Sequence, residues 1–320
     1  MDNQKLDELR KLMGTMPESN PPFKTDFFKG VHGISVKMID HSKNPYKAMY
    51  VLATSCWGKK IDKWDETPLE GKIMVVKSVL QKIALPLAYE APQFTFAVDN
   101  IPRWAFDQIA RARLGIVYSS QGTRDNNHQD CGFFIHDDIW EDEELKREFI
   151  SAAEKCKEVY KKIVDKGKGN WQSARSILPI SNTHAFSFSC NFAALQSMIT
   201  KRAKFCEADA TVAFAWLVRE EVMKVFPLLG KYLFPSCDAR GKCEYTKSYY
   251  LSNCFGCLFK PCGRNKVDGE WADYATFNAV CSNREKIMNE LAINIPTAEE
   301  IRALLESEAL AESDLKLFNE

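Results

Sequence analysis

The side chains best suited to chemistry gather in the stretch Phe94 to Arg124, FTFAVDNIPRWAFDQIARARLGIVYSSQGTR. Gln108, Arg111 and Arg113 follow one another closely, and a Ser/Gly/Thr-rich segment with Ser120, Gln121 and Arg124 comes next. A guanidinium fork matches phosphate geometry, and backbone N–H groups of a small-residue loop supply further donors. The set suits an anionic, phosphate-bearing ligand. The competing reading is a solvated helix face with ordinary surface arginines.

A second group of reactive residue types lies further on. Cys237, Cys243, Cys254, Cys257 and Cys262 crowd into one segment, with Cys254 and Cys257 spaced as a CxxC knuckle. Four such thiolates hold structural zinc in a closed tetrahedron or, alternatively, an iron–sulfur cluster; plain buried or reactive thiols are the third reading. Cys262 is the spare and can replace Cys237. His128, Asp130, Cys131 and His136 are also ligand types, but their spacing fits no standard site.

The composition narrows the setting. The chain has 320 residues, 45% hydrophobic and 27% charged, as in a globular protein with room for one large domain and an appendage. Its formal net charge of +0 gives no basic footprint for polymeric nucleic acid. No apolar run reaches the roughly 18 residues of a membrane span, and the N-terminus is too polar for a signal peptide. Eleven cysteines without a secretory signal imply a reducing compartment, so a cytoplasmic location away from membranes is expected.

Several elements must position these groups. Phe94, Phe96 and Val98 alternate as one face of a strand, Pro102 stops it, and Trp104 to Leu114 read as a helix on which Gln108 and Arg111 share a face. Residues 33–40 alternate as a strand, and 46–54 and 69–84 read as helices. Glu90 sits in the connection before the Phe94 strand, where a solvated carboxylate is the ordinary expectation. A helix is expected from about Glu141 until Gly167, then a short one carrying Arg175 and closed by Pro179. The segment THAFSFSCNF alternates as a second aromatic strand, and Asn191 can cap the following helix, which bears Ser197 and Arg202. A long apolar helix is expected from about Asp209 to Leu229. Near the ends, residues 1–21 read as a short amphipathic helix and linker, and Thr297 to Glu300 as a capping box. The terminal LKLF segment either docks on a neighbour or belongs to a polar tail.

Taken in order, these motifs resemble the flavin-dependent thymidylate synthase family. The resemblance rests on FTFAV at 94–98, on Gln108-x-x-Arg111-x-Arg113, on Ala174-Arg175-x-x-Leu178-Pro179, and on Asn191-x-x-x-Leu195 followed by Arg202. It covers residues 33–228 approximately. The family's histidine between the two arginines is Ala112 here, and Ala193 stands where a flavin-side arginine follows the asparagine. Either Ser120 or Gln121 aligns with the family serine, and Arg124 falls one place beyond the family arginine. The pyrimidine-nucleotide side is thus better kept than the flavin side.

The resemblance implies an α+β fold, a mixed or antiparallel sheet flanked by helices. The chain is expected to divide into an N-terminal helix and linker over 1–32, the family-like core over 33–230, an appended Cys-rich module over 231–290 that the family core does not need, and a C-terminal helix or tail over 291–320. The resemblance implies FAD as cofactor, methylene-tetrahydrofolate and NADPH as cosubstrates, and dUMP or a related pyrimidine deoxynucleotide as acceptor. A homotetramer is implied as well, since the family builds each pocket from several subunits. Gln108, Arg111, Ser120, Gln121, Arg124, Arg175 and Arg202 would bind the nucleotide, with Arg202 and Arg111 as the catalytic pair. Glu90, Arg111, Arg113, Asn191 and Ser197 would face the flavin. The implied reaction is methylation at C5 of the pyrimidine, or a variant such as hydroxymethylation. The alternative is a relative that keeps the nucleotide pocket as a binding or scaffold protein without flavin chemistry.

Overall fold

A computed structural model of the chain describes residues 27–55, 57–58, 62–83, 85–124, 126–129, 131–166, 171–204, 209–235, 266–267, 270–271 and 298–320. In chain order the first elements are β1 (Phe27–Lys29), β2 (Ser35–His41), α1 (Pro45–Thr54), α2 (Leu69–Leu80), β3 (Gln93–Pro102), α3 (Arg103–Ile109) and β4 (Ile116–Ser120). Then come β5 (Phe133–Ile135), α4 (Asp137–Glu141), α5 (Glu143–Lys166), α6 (Trp171–Ala174), β6 (Thr183–Asn191), α7 (Phe192–Arg202), α8 (Asp209–Val225) and α9 (Pro227–Gly230). The small strands β7 (Lys266–Val267) and β8 (Glu270–Trp271) pair antiparallel, and α10 (Ala298–Glu306) and α11 (Glu312–Asn319) end the chain. The expected α+β architecture is observed. The N-terminal helix over 1–21, Thr297 and the five clustered cysteines lie outside the described residues.

The chain divides into two compact units, one of residues 1–29 and 121–184, the other of residues 30–120 and 185–320. The larger unit is built on a four-stranded sheet of order β2-β3-β6-β4, in which β2 pairs antiparallel with β3 and β4 with β6. Alternation in β3 and β6 buries Phe94, Phe96, Val98, Phe186 and Phe188 on the face covered by α8. Phe96 stacks on Phe188 with ring centroids 4.9 Å apart, and Phe214 of α8 packs against both Phe186 and Phe188 at 5.8 Å. Each fully buried phenyl ring contributes about 1.5–3 kcal/mol, so this spine is the main reason the sheet and α8 stay together. Glu221 of α8 also accepts a 2.8 Å bond from the backbone N–H of Met38, where the β2–β3 register shifts.

Three sequence expectations are corrected in this unit. The long helix expected to Leu229 stops at Val225, and Phe226 leaves the helical region before Pro227 opens α9. Proline has no N–H to give and crowds the residue before it, which accounts for the break. The LKLF segment is not a polar tail: α11 docks into its own unit. Phe318 is fully buried and stacks on Tyr46 (4.7 Å, 7° between ring planes). Buried Asp314 accepts hydrogen bonds from the Tyr46 hydroxyl and from the Leu228 N–H at 2.9 Å. The third correction, the length of α3, bears on the site.

In the smaller unit β1 runs parallel to β5, with Phe27 opposite Phe133. Cys131, Phe133 and Ala153 form its buried cluster, with Phe149 and Leu178 packed against it. Asp142 caps α5 by accepting from the N–H groups of Glu144 and Leu145 at 2.9 and 3.1 Å. Among the described residues no helix is long and apolar enough to cross a membrane.

Candidate functional site

The helix expected from Trp104 to Leu114 ends at Ile109, so Arg111 and Arg113 do not share a helical face with Gln108. Two side chains from elsewhere take the carbonyls of its last turn. Arg202 Nη2 donates to Gln108 O at 2.6 Å, and the Tyr118 hydroxyl donates to Ile109 O at 3.1 Å. The carbonyls of a last helical turn have no partner within the helix, so these two donors fix where the chain departs. Ala112 N–H closes a tight turn onto Ile109 O at 3.2 Å, and Gly115, at φ +72°, turns the chain into β4. A Cβ at Gly115 would come within 2.8 Å of Asn191 Nδ2, so both conformation and space call for glycine.

The result is an exposed turn carrying two arginines. Arg111 and Arg113 are both solvent-exposed, and Arg113 Nε donates to Ala110 O at 3.3 Å. Neither has a carboxylate within 4.0 Å among the described residues, whereas nearby Arg103 pairs with Asp107 at 3.4 Å. Arg202 is half-buried beneath the same turn at the end of α7. Desolvation at the centre of this arrangement pushes the Tyr118 phenol up, the Cys190 thiol raises it further, and Arg202 opposes both. Tyr118 is therefore a neutral donor at physiological pH.

The other expected residues of the larger unit surround this frame at varied depth. Asn191 caps α7 as expected, its side-chain oxygen accepting from Ala194 N–H at 2.8 Å, and its own N–H donates to Gly115 O at 3.2 Å. The amide is thus partly committed to the fold. Ser197 is exposed one turn further along α7, Ser120 is half-buried at the end of β4 opposite Phe186, and Glu90 is exposed at the end of a 3-10 turn. Gln108 is half-buried. Cys190 is buried with its thiol pushed up to about 12, so it is no nucleophile near neutral pH.

Gln121, Arg124 and Arg175 belong to the smaller unit. Gln121 is half-buried, while Arg124 and Arg175 are exposed, Arg175 on the 3-10 turn that follows α6. Arg175 also lacks a carboxylate within 4.0 Å among the described residues. His128 and Cys131 are buried, Asp130 is outside the described residues, and no metal-binding group of His, Cys, Asp or Glu occurs among those described. Sequence reasoning missed Tyr118 and Gly115. The glycine just after the arginines was the available signal for a turn.

Comparison with known proteins agrees with this architecture. The family model "Thymidylate synthase complementing protein" matches residues 37–228. A Clostridium tetani protein named flavin-dependent thymidylate synthase is 26% identical over 230 residues, 66% of this chain and 90% of that protein. A Geobacter sulfurreducens protein of the same name is 25% identical over 149 residues, 46% of this chain and 63% of its own length. Among solved structures, the UMP/dUMP methylase PolB from Streptomyces cacaoi bound with 5-Br dUMP is similar in fold. Its TM-score is 0.53 at 16% identity, covering 66% of this chain and 96% of that one. The spine strands, the arginine turn and Arg202 all fall inside the matched span, and the chain belongs to the thymidylate synthase complementing protein family.

Proposed function

We propose that the protein is a flavin-dependent methylase of pyrimidine nucleotides, transferring a one-carbon unit from methylene-tetrahydrofolate to C5 of dUMP or a close relative. The observation that carries this reading is the set of cations the fold leaves unpaired: exposed Arg111, Arg113 and Arg175, without carboxylate partners among the described residues, in a chain of this family. Fixed positive charge held without internal neutralisation suits a phosphate ligand.

Arg111, Gln108 and Ser120 of the larger unit are nucleotide ligands in this reading, and Gln121, Arg124 and Arg175 of the smaller unit take that role by the family resemblance. Half-buried Arg202 faces the pyrimidine, where negative charge develops on the ring carbonyls as the carbon arrives. A guanidinium already anchored to Gln108 O needs little reorganisation to stabilise that charge. Flavin, when bound, supplies the hydride, and NADPH is its source of electrons. The donor set of Arg111, Arg113, Ser197 and the Asn191 amide fits an anionic dinucleotide cofactor, with Glu90 at its margin. A homotetramer follows the family's habit of building pockets between subunits.

A second reading, a nucleotide-binding relative without flavin chemistry, is favoured by one observation. Asn191 spends its amide oxygen on the α7 cap, and Ala112 and Ala193 stand where the family has a histidine and an arginine. An absorbance spectrum of anaerobically purified protein, with FAD and dUMP added in turn, separates the two. A flavin spectrum that shifts on adding dUMP is expected. Protein that binds dUMP but takes up no FAD would leave only the second reading.

A further inference from the structure

A cavity of about 540 Å³ lies in the larger unit, enclosed by the end of α2, the inner side of α7, the chain after α9 and the α10–α11 connection. It shares no residue with the arginine turn. Its lining includes Lys77, Lys82 and Lys231, from two separate parts of the chain. Lys77 Nζ donates to Glu308 O at 3.3 Å and Lys231 Nζ to Ala309 O at 3.2 Å, while Lys82 Nζ lies 5.3 Å from the centre of the Tyr89 ring. None of the three has a carboxylate oxygen within 4.0 Å among the described residues. Their partners are carbonyls and a ring, which orient an ammonium without cancelling its charge. Burial pulls Lys231 below the ordinary lysine value, Asp314 opposes this, and the like charge of Lys77 adds to the depression. An anion between the lysines would relieve that repulsion.

The α10–α11 connection brings acceptors to the same lining: Glu306 and Glu308 offer carboxylates, and Gln196 and Thr200 of α7 line the cavity as well. Carboxylates and amides accept from hydroxyl groups. Lys231 and the whole α10–α11 wall lie beyond the residues matched by the family model, so this cavity is not formed by the family core alone.

We propose that this cavity is a second ligand site, which takes a sugar phosphate, free or as part of a nucleotide. The phosphate sits between Lys77, Lys82 and Lys231, and the sugar hydroxyls donate to the carboxylates of Glu306 and Glu308. Occupancy fastens the C-terminal helices to the rest of their unit, because the carboxylates belong to the α10–α11 segment and the lysines do not.

Isothermal titration of the full chain with ribose 5-phosphate, and in parallel with AMP, tests this. Binding of at least one of them is expected, and it should persist in an Arg111→Ala/Arg202→Ala variant that disables the arginine turn. In a Lys77→Gln/Lys231→Gln variant it should weaken by about tenfold or more, the loss expected for charge-assisted hydrogen bonds. Should that variant fail to melt cooperatively, Gln81→Glu places a negative charge at an exposed position in the same lining and should weaken binding as well. No binding of either compound to the intact chain would overturn the proposal. So would binding that disappears in the arginine variant, or that survives the lysine change (or Gln81→Glu, if that has to serve) undiminished.

Discussion

Two arginine-bearing regions of the larger unit put the same side chain to opposite uses. Arg219 of α8 is buried, pairs with Glu220 at 2.8 Å, and lies over Phe234 and Trp216, 4.5 and 5.5 Å from their ring centres. Burial pulls its pKa below the ordinary value, and Glu220 opposes that pull. Arg111 and Arg113 stand in water on a turn whose shape is fixed by other residues. The first arginine is part of how the unit packs. The other two contribute almost nothing to packing, so their presence asks for a ligand rather than a structural account. The comparison separates side chains that the fold needs from side chains that the fold presents.

That separation can be broken or sharpened by substitution, taken here from the largest expected effect down. Phe318→Ala should cost about 3–5 kcal/mol, because it empties a fully buried position stacked on Tyr46 and close to Trp64. A denaturant titration measures it, and a cost below about 1 kcal/mol would mean that α11 is not part of the core. Arg219→Ala should lower stability by about 3 kcal/mol through loss of the pair with Glu220 and of ring contacts, while the folded fraction binds dUMP normally. Asp314→Ala strands the Tyr46 hydroxyl and the Leu228 N–H, an expected loss of about 1–3 kcal/mol by the same titration. Tyr118→Phe removes the hydroxyl that donates to Ile109 O and contacts Met198 Sδ at 3.8 Å. It should cost about 1 kcal/mol of stability and reduce turnover more than dUMP affinity, since the turn loses one of its two anchors. Equal stability and equal turnover in that variant would remove Tyr118 from the positioning frame.

The sequence made the spine easy to see and the turn hard. Alternation in FTFAV and THAFSFSCN is local, and the buried Phe94, Phe96, Phe186 and Phe188 follow from it directly. The Asn191 cap was legible for the same reason, because its partner is three residues away. The end of α3 was not legible. Helical pattern continues through Arg113, and the residues that take its carbonyls, Tyr118 and Arg202, act from other elements. The docking of α11 was hidden similarly: Asp314 and Phe318 find Tyr46 and Trp64 near the other end of the chain. Strands as short as β1 and β5 carry too few residues for alternation to show. The candidate arginines were identifiable by type and spacing, yet the exposure of Arg111, Arg113 and Arg175, and their lack of a carboxylate within 4.0 Å among the described residues, became visible only in the folded chain.

The central claim is that Arg111 and Arg202 serve a nucleotide, Arg202 in addition to its bond to Gln108 O. The most direct measurement is an equilibrium titration of dUMP against the intact chain and against Arg111→Ala and Arg202→Ala, with thermal melts of all three. Each substitution should weaken dUMP binding by about tenfold or more. Arg111→Ala should leave the melting temperature unchanged, and Arg202→Ala should lower it only slightly, through the lost bond to Gln108 O. Unchanged dUMP affinity in both variants would contradict the site assignment.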